Sequence, residues 1–167
     1  MGTVFDMPTL NQQETDLLRK AIAISKRSRE NGNHPFGALL ASPSGEILVE
    51  AENSVVTTGD LIGHAETNLV RLAVTTLSSE QIATATLYSS CEPCAMCAGA
   101  MYWGGINRLV YGMSESDLLP FADGEQSENA TMTGVGCRAV LASGKRSIEV
   151  SGPHLADEAI LIHDGFW

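Results

Sequence analysis

Helix-period and strand-period segments alternate along this chain, and that alternation narrows the folds open to it more than any other feature. From about Asn11 to Arg29, Leu17, Leu18, Ala21, Ile22 and Ser25 recur at helical spacing with charged residues on the other faces, and Asn31-Gly32-Asn33 stops the helix. The apolar runs Phe36 to Ala41 and Ile47 to Ala51, joined by Ser42-Pro43-Ser44-Gly45, read as a β-hairpin. A polar loop follows, and then a second helix from His64 to Leu77, with Gly63 at its entry. Thr86 to Ser89 is a short buried strand, and Pro93 fits the first turn of a third helix that runs to about Trp103 and ends at Gly104-Gly105. Arg108 to Gly112 gives a fourth strand, and the segment 114–134, rich in Ser, Asp, Glu, Gly and Thr, reads as a long functional loop. A short helix over Arg138 to Ser143, a last strand over Ile148 to Ser151 and a final helix from about His154 to His163 complete the series. Five strands interleaved with helices predict an α/β fold, a three-layer α/β/α sandwich around a mixed five-stranded sheet.

The 167 residues suffice for one domain, residues 1–167, and the 44% hydrophobic and 18% charged residues match a chain that folds. The N-terminus has neither a basic region nor a long apolar run, so neither a secretory signal nor a membrane anchor is expected. Gly2 fits a myristoylation site only loosely, because Asp6 stands where Ser or Thr belongs. Asn129-Ala130-Thr131 is a glycosylation sequon without meaning in the cytoplasm, the expected location. Twenty acidic residues against ten basic ones give a formal charge of −10, the reverse of what phosphate backbones require, so nucleic acid is an unfavoured partner.

Three of the four cysteines, Cys91, Cys94 and Cys97, fall within seven residues. That crowding suits metal binding in a reducing compartment better than a spread disulfide framework. Upstream, His64-Ala65-Glu66 stands at another predicted helix start. One imidazole and two thiolates make a three-ligand zinc set that leaves a fourth position for water, as catalytic zinc sites do. Cys94 and Cys97 are three apart, so on a helix both sulfurs project to one side, and the helix N-terminus favours their thiolates. Glu66, two residues after His64, is placed to move the proton of such a water. Spacing alone leaves two pairings open, because Cys91-Glu92-Pro93-Cys94 is also a C-x-x-C.

The combination of His-x-Glu with a later Pro-Cys-x-x-Cys resembles the zinc-dependent deaminases, and that resemblance selects His64, Cys94 and Cys97 as ligands of one Zn2+ with a bound water or hydroxide. The chain is similar to the cytidine deaminase-like superfamily, and within it to the nucleobase branch with guanine deaminase and yeast-type cytosine deaminase. The matching parts are Pro35-Phe36-Gly37-Ala38, Asn53, His64-Ala65-Glu66, Cys91 to Ala100, Tyr102-Trp103 and the aromatic end Gly165-Phe166-Trp167. Deaminases of adenosine in tRNA share the two metal-binding elements. The resemblance implies hydrolytic loss of an exocyclic amino group as ammonia from a free nucleobase, of guanine type first. By the same resemblance Glu66 is the acid/base, Phe36 stacks on the ring, Asn53 hydrogen-bonds it, the Ala65 backbone touches it, and Trp103 forms a pocket wall. It also implies a second proton-moving acid in the loop after the fourth strand, where Glu125 is taken over Asp117, Asp123 and Glu128. Phe166 and Trp167, in residues 154–167, become lid residues, and a homodimer using apolar elements around the third helix is expected.

Competing readings remain at this point. The C-x-x-C elements also fit a thiol redox pair, and Cys91 or His34 as fourth ligand would close a structural zinc module. Phe36, Trp103 and Trp167 fit plain packing roles, and Asn53 a local turn. A tRNA adenosine deaminase draws support from Arg19, Lys20, Lys26, Arg27 and Arg29, half of all basic residues, on the first helix. Against it, Asp157, Glu158 and Asp164 leave the last segment without any cation.

Overall fold

The computed structural model describes residues 9–122 and 134–167. Helix α1 (Gln12–Glu30) opens with a capping box: the Glu14 N–H donates to Asn11 Oδ1, and the Asn11 N–H donates to the Glu14 carboxylate. Its apolar stripe, including Leu17, Leu18, Ala21, Ile22 and Ile24, is buried. The hairpin forms from β1 (Gly37–Ala41) and β2 (Ile47–Glu52), paired antiparallel. β1 lies so close to α1 that a Cβ on Gly37 would stand 2.4 Å from Ser25 N and 2.7 Å from Ala21 O, so only glycine fits there.

The expected polar loop contains a single helical turn, α2 (Val55–Thr58), whose first N–H groups are held by Asn33 Oδ1 and Asn53 Oδ1. Next come α3 (Ala65–Thr76), α4 (Ser79–Thr84), β3 (Thr86–Cys91), α5 (Ala95–Gly104) and β4 (Arg108–Met113). Pro93 sits before α5 rather than in its first turn, because Cys94 has extended backbone as the N-cap and its carbonyl accepts the first intrahelical bond from Ala98. The part of segment 114–134 that is described begins as α6 (Glu115–Ala122), started by Asp117 and Ser114 bonding to each other's backbone. The chain closes with α7 (Cys137–Ala142), β5 (Glu149–Ser151) and α8 (Ala156–Ile160), the last shorter than the expected 154–163.

The five strands form one mixed sheet in the order β2-β1-β3-β4-β5, with β3, β4 and β5 parallel and the hairpin antiparallel. Alternation along β1 sorts the core into two layers: Ala38 and Leu40 pack with Leu69, Ala98 and Met101 from α3 and α5, and Leu39 and Ala41 with Leu18, Ala21 and Ile24 from α1. The expected three-layer α/β/α sandwich is the observed fold. Among the described residues no helix is long and apolar enough to cross a membrane.

Candidate metal centre

The two motifs meet because α3 and α5 pack side by side on one face of the sheet, with their N-termini at the carboxyl ends of the parallel strands. His64 is the N-cap of α3 and Cys94 the N-cap of α5, and neither side chain is used for capping. Both are free to point into the space between the helix ends. Cys97 follows in the first turn of α5. His64 Nδ1 lies 3.7 Å from Cys94 Sγ and 3.6 Å from Cys97 Sγ, and the three ligand atoms all fall within 4.8 Å of one another. A tetrahedral zinc with ordinary Zn–S and Zn–N bonds has S···N edges of about 3.5 Å, so the donor set fits the ion in both chemistry and size. The Cys97 thiol, followed by the His64 ring, holds the Cys94 thiol down to about 4, which makes one thiolate available at neutral pH.

Glu66, in the first turn of α3, is buried, and burial raises its carboxyl above the usual range. Ser89 Oγ on β3 donates to Glu66 Oε1 at 2.6 Å and fixes the carboxylate beside the ligand set. Cys91 ends β3 buried in the opposite layer with Tyr88 and Met113, apart from the three-residue group.

A second cluster lies next to the ligands. Phe36, entering β1, stands 5.2 Å from the His163 ring and 6.1 Å from the Trp167 ring, and Trp167 is 5.4 Å from His34. His34 is lowered by burial and by the His64 charge, and Phe36 packs against the core layer that holds Ala65, the residue after His64. Trp167 Nε1 donates to His163 Nδ1 at 3.2 Å, and Phe166 stacks edge-on at 4.9 Å. Arg29 at the end of α1 straps the segment down by donating to the carbonyls of Ile162 and Asp164, both at 2.8 Å, with its guanidinium over the Phe166 ring. The C-terminal residues therefore reach Phe36, as a lid would.

Asn53 is buried beside Phe36, donating its backbone N–H to the Phe36 carbonyl, while its Oδ1 accepts the local Val55 N–H. That local bond is the turn role, and it leaves Nδ2 as the group able to meet a ligand. Ala65 is fully buried directly after His64. Trp103 is not brought to the site. It lies in the last turn of α5, roughly 13 Å along the axis from Cys94, and is 87% exposed. A pocket-wall role within one protomer does not fit that placement. Asp117 is occupied with its own helix start, and Glu125, Asp123 and Glu128 lie outside the described residues.

Residues 11–113 match the family model for the cytidine and deoxycytidylate deaminase zinc-binding region. The chain belongs to this family. A probable cytosine deaminase of Schizosaccharomyces pombe is 37% identical over 158 residues, covering 95% of this chain and 94% of the relative. A tRNA-specific adenosine deaminase of Bacillus subtilis is 36% identical over 100 residues, 60% of this chain and 62% of that one. In structure, the guanine deaminase of Nitrosomonas europaea superposes with a TM-score of 0.71 at 22% identity, over 97% of this chain and 88% of that one, a likeness of fold. As a family member the chain is a zinc-binding deaminase, a hydrolase.

Three side chains at the site, Ser89, Arg29 and His163, have no signal in the sequence for the contacts they make. Ser89 carries no local signal, since its partner is 23 residues away. Arg29 stands in the sequence only as one of five cations on the first helix, and His163 only as the end of the last expected helix. Ring and guanidinium contacts between chain ends leave no periodicity to read.

Proposed function

We propose that this deaminase removes the exocyclic amino group from a free nucleobase or related amino-heterocycle, with guanine-type rings first, and releases ammonia. The observation that carries the reading is the buried Glu66 carboxylate, steered by Ser89 and two residues from His64. His64, Cys94 and Cys97 would hold one zinc, which when bound supplies a Lewis acid and lowers the pKa of water to about 7. Glu66 takes one proton from the attacking water and delivers it to a ring nitrogen, then takes the second from the hydroxyl so added and delivers it to the departing amine. A carbon–oxygen bond forms, the carbon–nitrogen bond breaks, and ammonia leaves. Phe36 and Trp167 face the base from either chain end, Asn53 Nδ2 donates to it, the Ala65 backbone borders it, and Glu125 is the second acid.

A second reading, cytosine, is favoured by one observation: the likeness to the fungal probable cytosine deaminase covers 95% of this chain, against 60% for the guanine deaminase and the tRNA-specific adenosine deaminase of Bacillus subtilis. Transfer RNA is disfavoured by the surface. Of the cations on α1, Arg19, Lys20, Lys26 and Arg27 are paired with Glu158, Glu50, Glu30 and Glu52, and Arg29 is taken up by backbone carbonyls. None of the four cysteines is in a disulfide, as suits the cytoplasm. The exposed Leu72 and Val74 on α3 and Trp103 on the neighbouring α5 support a homodimer through that face.

An ammonia-release panel tests the reading with guanine, guanosine, cytosine, cytidine, adenine, aminotriazines and an anticodon stem-loop. Turnover of a free base, lost by a factor of about 10² or more in Glu66→Gln with zinc retained, is the expected result. Activity on the stem-loop alone, or an unaffected Glu66→Gln enzyme, would overturn it.

A further inference from the structure

The chain has ten Lys and Arg residues; six form ion pairs, and Arg29, without a carboxylate partner among the described residues, straps the C-terminal segment. The remaining three, Arg138, Lys145 and Arg146, have no carboxylate partner among the described residues, and all three line one cavity of about 460 Å³. In a molecule of net charge −10, gathering three of the four cations that lack a carboxylate partner among the described residues in one hollow is a strong local departure. Its described lining holds no acidic residue. The hollow lies between α7, the turn after it and the edge strand β5, with Leu141, Ile148 and Val150 forming an apolar wall.

Two details show that the basic side is built rather than loose. Tyr102 Oη accepts the backbone N–H groups of Lys145 at 3.1 Å and Arg146 at 3.4 Å, and the Arg146 guanidinium lies over the Tyr102 ring, 4.5 Å from its centre. Arg138 is fixed by donating to the carbonyls of Val150 and Gly152. Moreover, Arg146 Nε is buried without an acceptor in the described structure. That N–H is covered, and the other end of the guanidinium donates to the Tyr102 carbonyl, so the cation is held in place at the wall of the hollow.

We propose that this cavity binds a phosphate-bearing small molecule of mononucleotide size, separate from the metal centre. Guanidinium and ammonium donors recognise phosphate, the apolar wall receives a flat ring, and the volume lies within the usual range of ligand pockets. Tyr102 is in the last turn of α5 and Cys94 at its start, about 12 Å away along the helix, so the two sites are distinct. The site does not depend on which base is deaminated.

Calorimetric titration of the zinc-loaded full chain with AMP, GMP, CMP and inorganic phosphate, each nucleoside serving as control, tests this. At least one monophosphate should saturate with a Kd below about 1 mM, and its nucleoside should bind at least about tenfold more weakly. Lys145→Glu, at an exposed position, should weaken the monophosphate by about tenfold or more without changing ammonia release in its absence. The proposal is overturned if no monophosphate saturates by about 10 mM, or if Lys145→Glu binds like the parent. It is equally overturned if an anticodon stem-loop engages Lys145 while the monophosphates do not.

Discussion

At the residue scale, the metal centre turns on where two helices begin. His64 and Cys94 both carry extended N-cap backbone, and because neither caps its own helix, their ligand atoms meet. The motif spacing made these residues legible, since His-x-Glu and Pro-Cys-x-x-Cys each fit within one turn. Ser89 was not legible, because its value comes only from the register that sets β3 beside α3. Its role predicts a specific defect. Ser89→Ala removes the 2.6 Å bond that orients Glu66 while leaving the three metal ligands in place. We expect kcat to fall by about 10- to 100-fold, as for other groups that orient a metal-site residue, with zinc content unchanged by atomic absorption. Loss of zinc in step with activity would instead make Ser89 a support of the ligand set.

At the element scale, the end of the C-terminal segment is strapped by Arg29 from the last turn of α1. Arg29 binds two carbonyls beyond α8, so Arg29→Ala should free residues 162–167 while α1 keeps its buried stripe. The expected outcome is a KM for the base raised by about tenfold, comparable to losing one or two charged hydrogen bonds, together with a shift in Trp167 emission read in a Trp103→Phe background. An unchanged KM would remove the segment from substrate closure. The same segment carries a pH response. Burial, and then Arg29, lower His163 to about 4, and its Nδ1 accepts from Trp167, which requires the neutral ring. The folded value is below the unfolded one of about 6.5, so no penalty exists above pH 6.5 and one grows as pH falls toward 4. Between pH 7.5 and 5 this group should cost about 2 kcal/mol of stability. Urea unfolding at both values should show a smaller loss in His163→Gln, which can still accept from Trp167 but does not titrate. Of the elements themselves, α1, the hairpin and α3 followed their periodicity closely, while α5, apolar nearly all round, was marked by Pro93 before it and Gly104-Gly105 at its end. The small helices did not: α4 was announced by the Ser78-x-x-Gln81 capping box but hidden by its lack of an apolar stripe, and α6 by the polar composition of its surroundings.

For the whole molecule, charge has a different meaning once the pairs are visible. The sequence put half of the cations on the first helix, which looked like a patch for RNA. The fold brings Glu50 and Glu52 of β2 and Glu158 of α8 against that helix and cancels most of it. Composition cannot show this, because the partners are 23 or more residues apart in the chain. What remains is an acidic surface that has no long-range attraction for a neutral base and repels a polyanion. Raising salt from about 0.05 to 0.5 M screens such fields without touching the short-range contacts of Phe36, Asn53 and Trp167. For a free base, kcat/KM should therefore change by less than about twofold across that range. An RNA substrate held by several phosphates would lose orders of magnitude in binding over the same range. A steep fall of kcat/KM with salt for the substrate that turns over fastest would show that phosphate contacts, and not the aromatic cluster beside His64, bring the reacting base to the site.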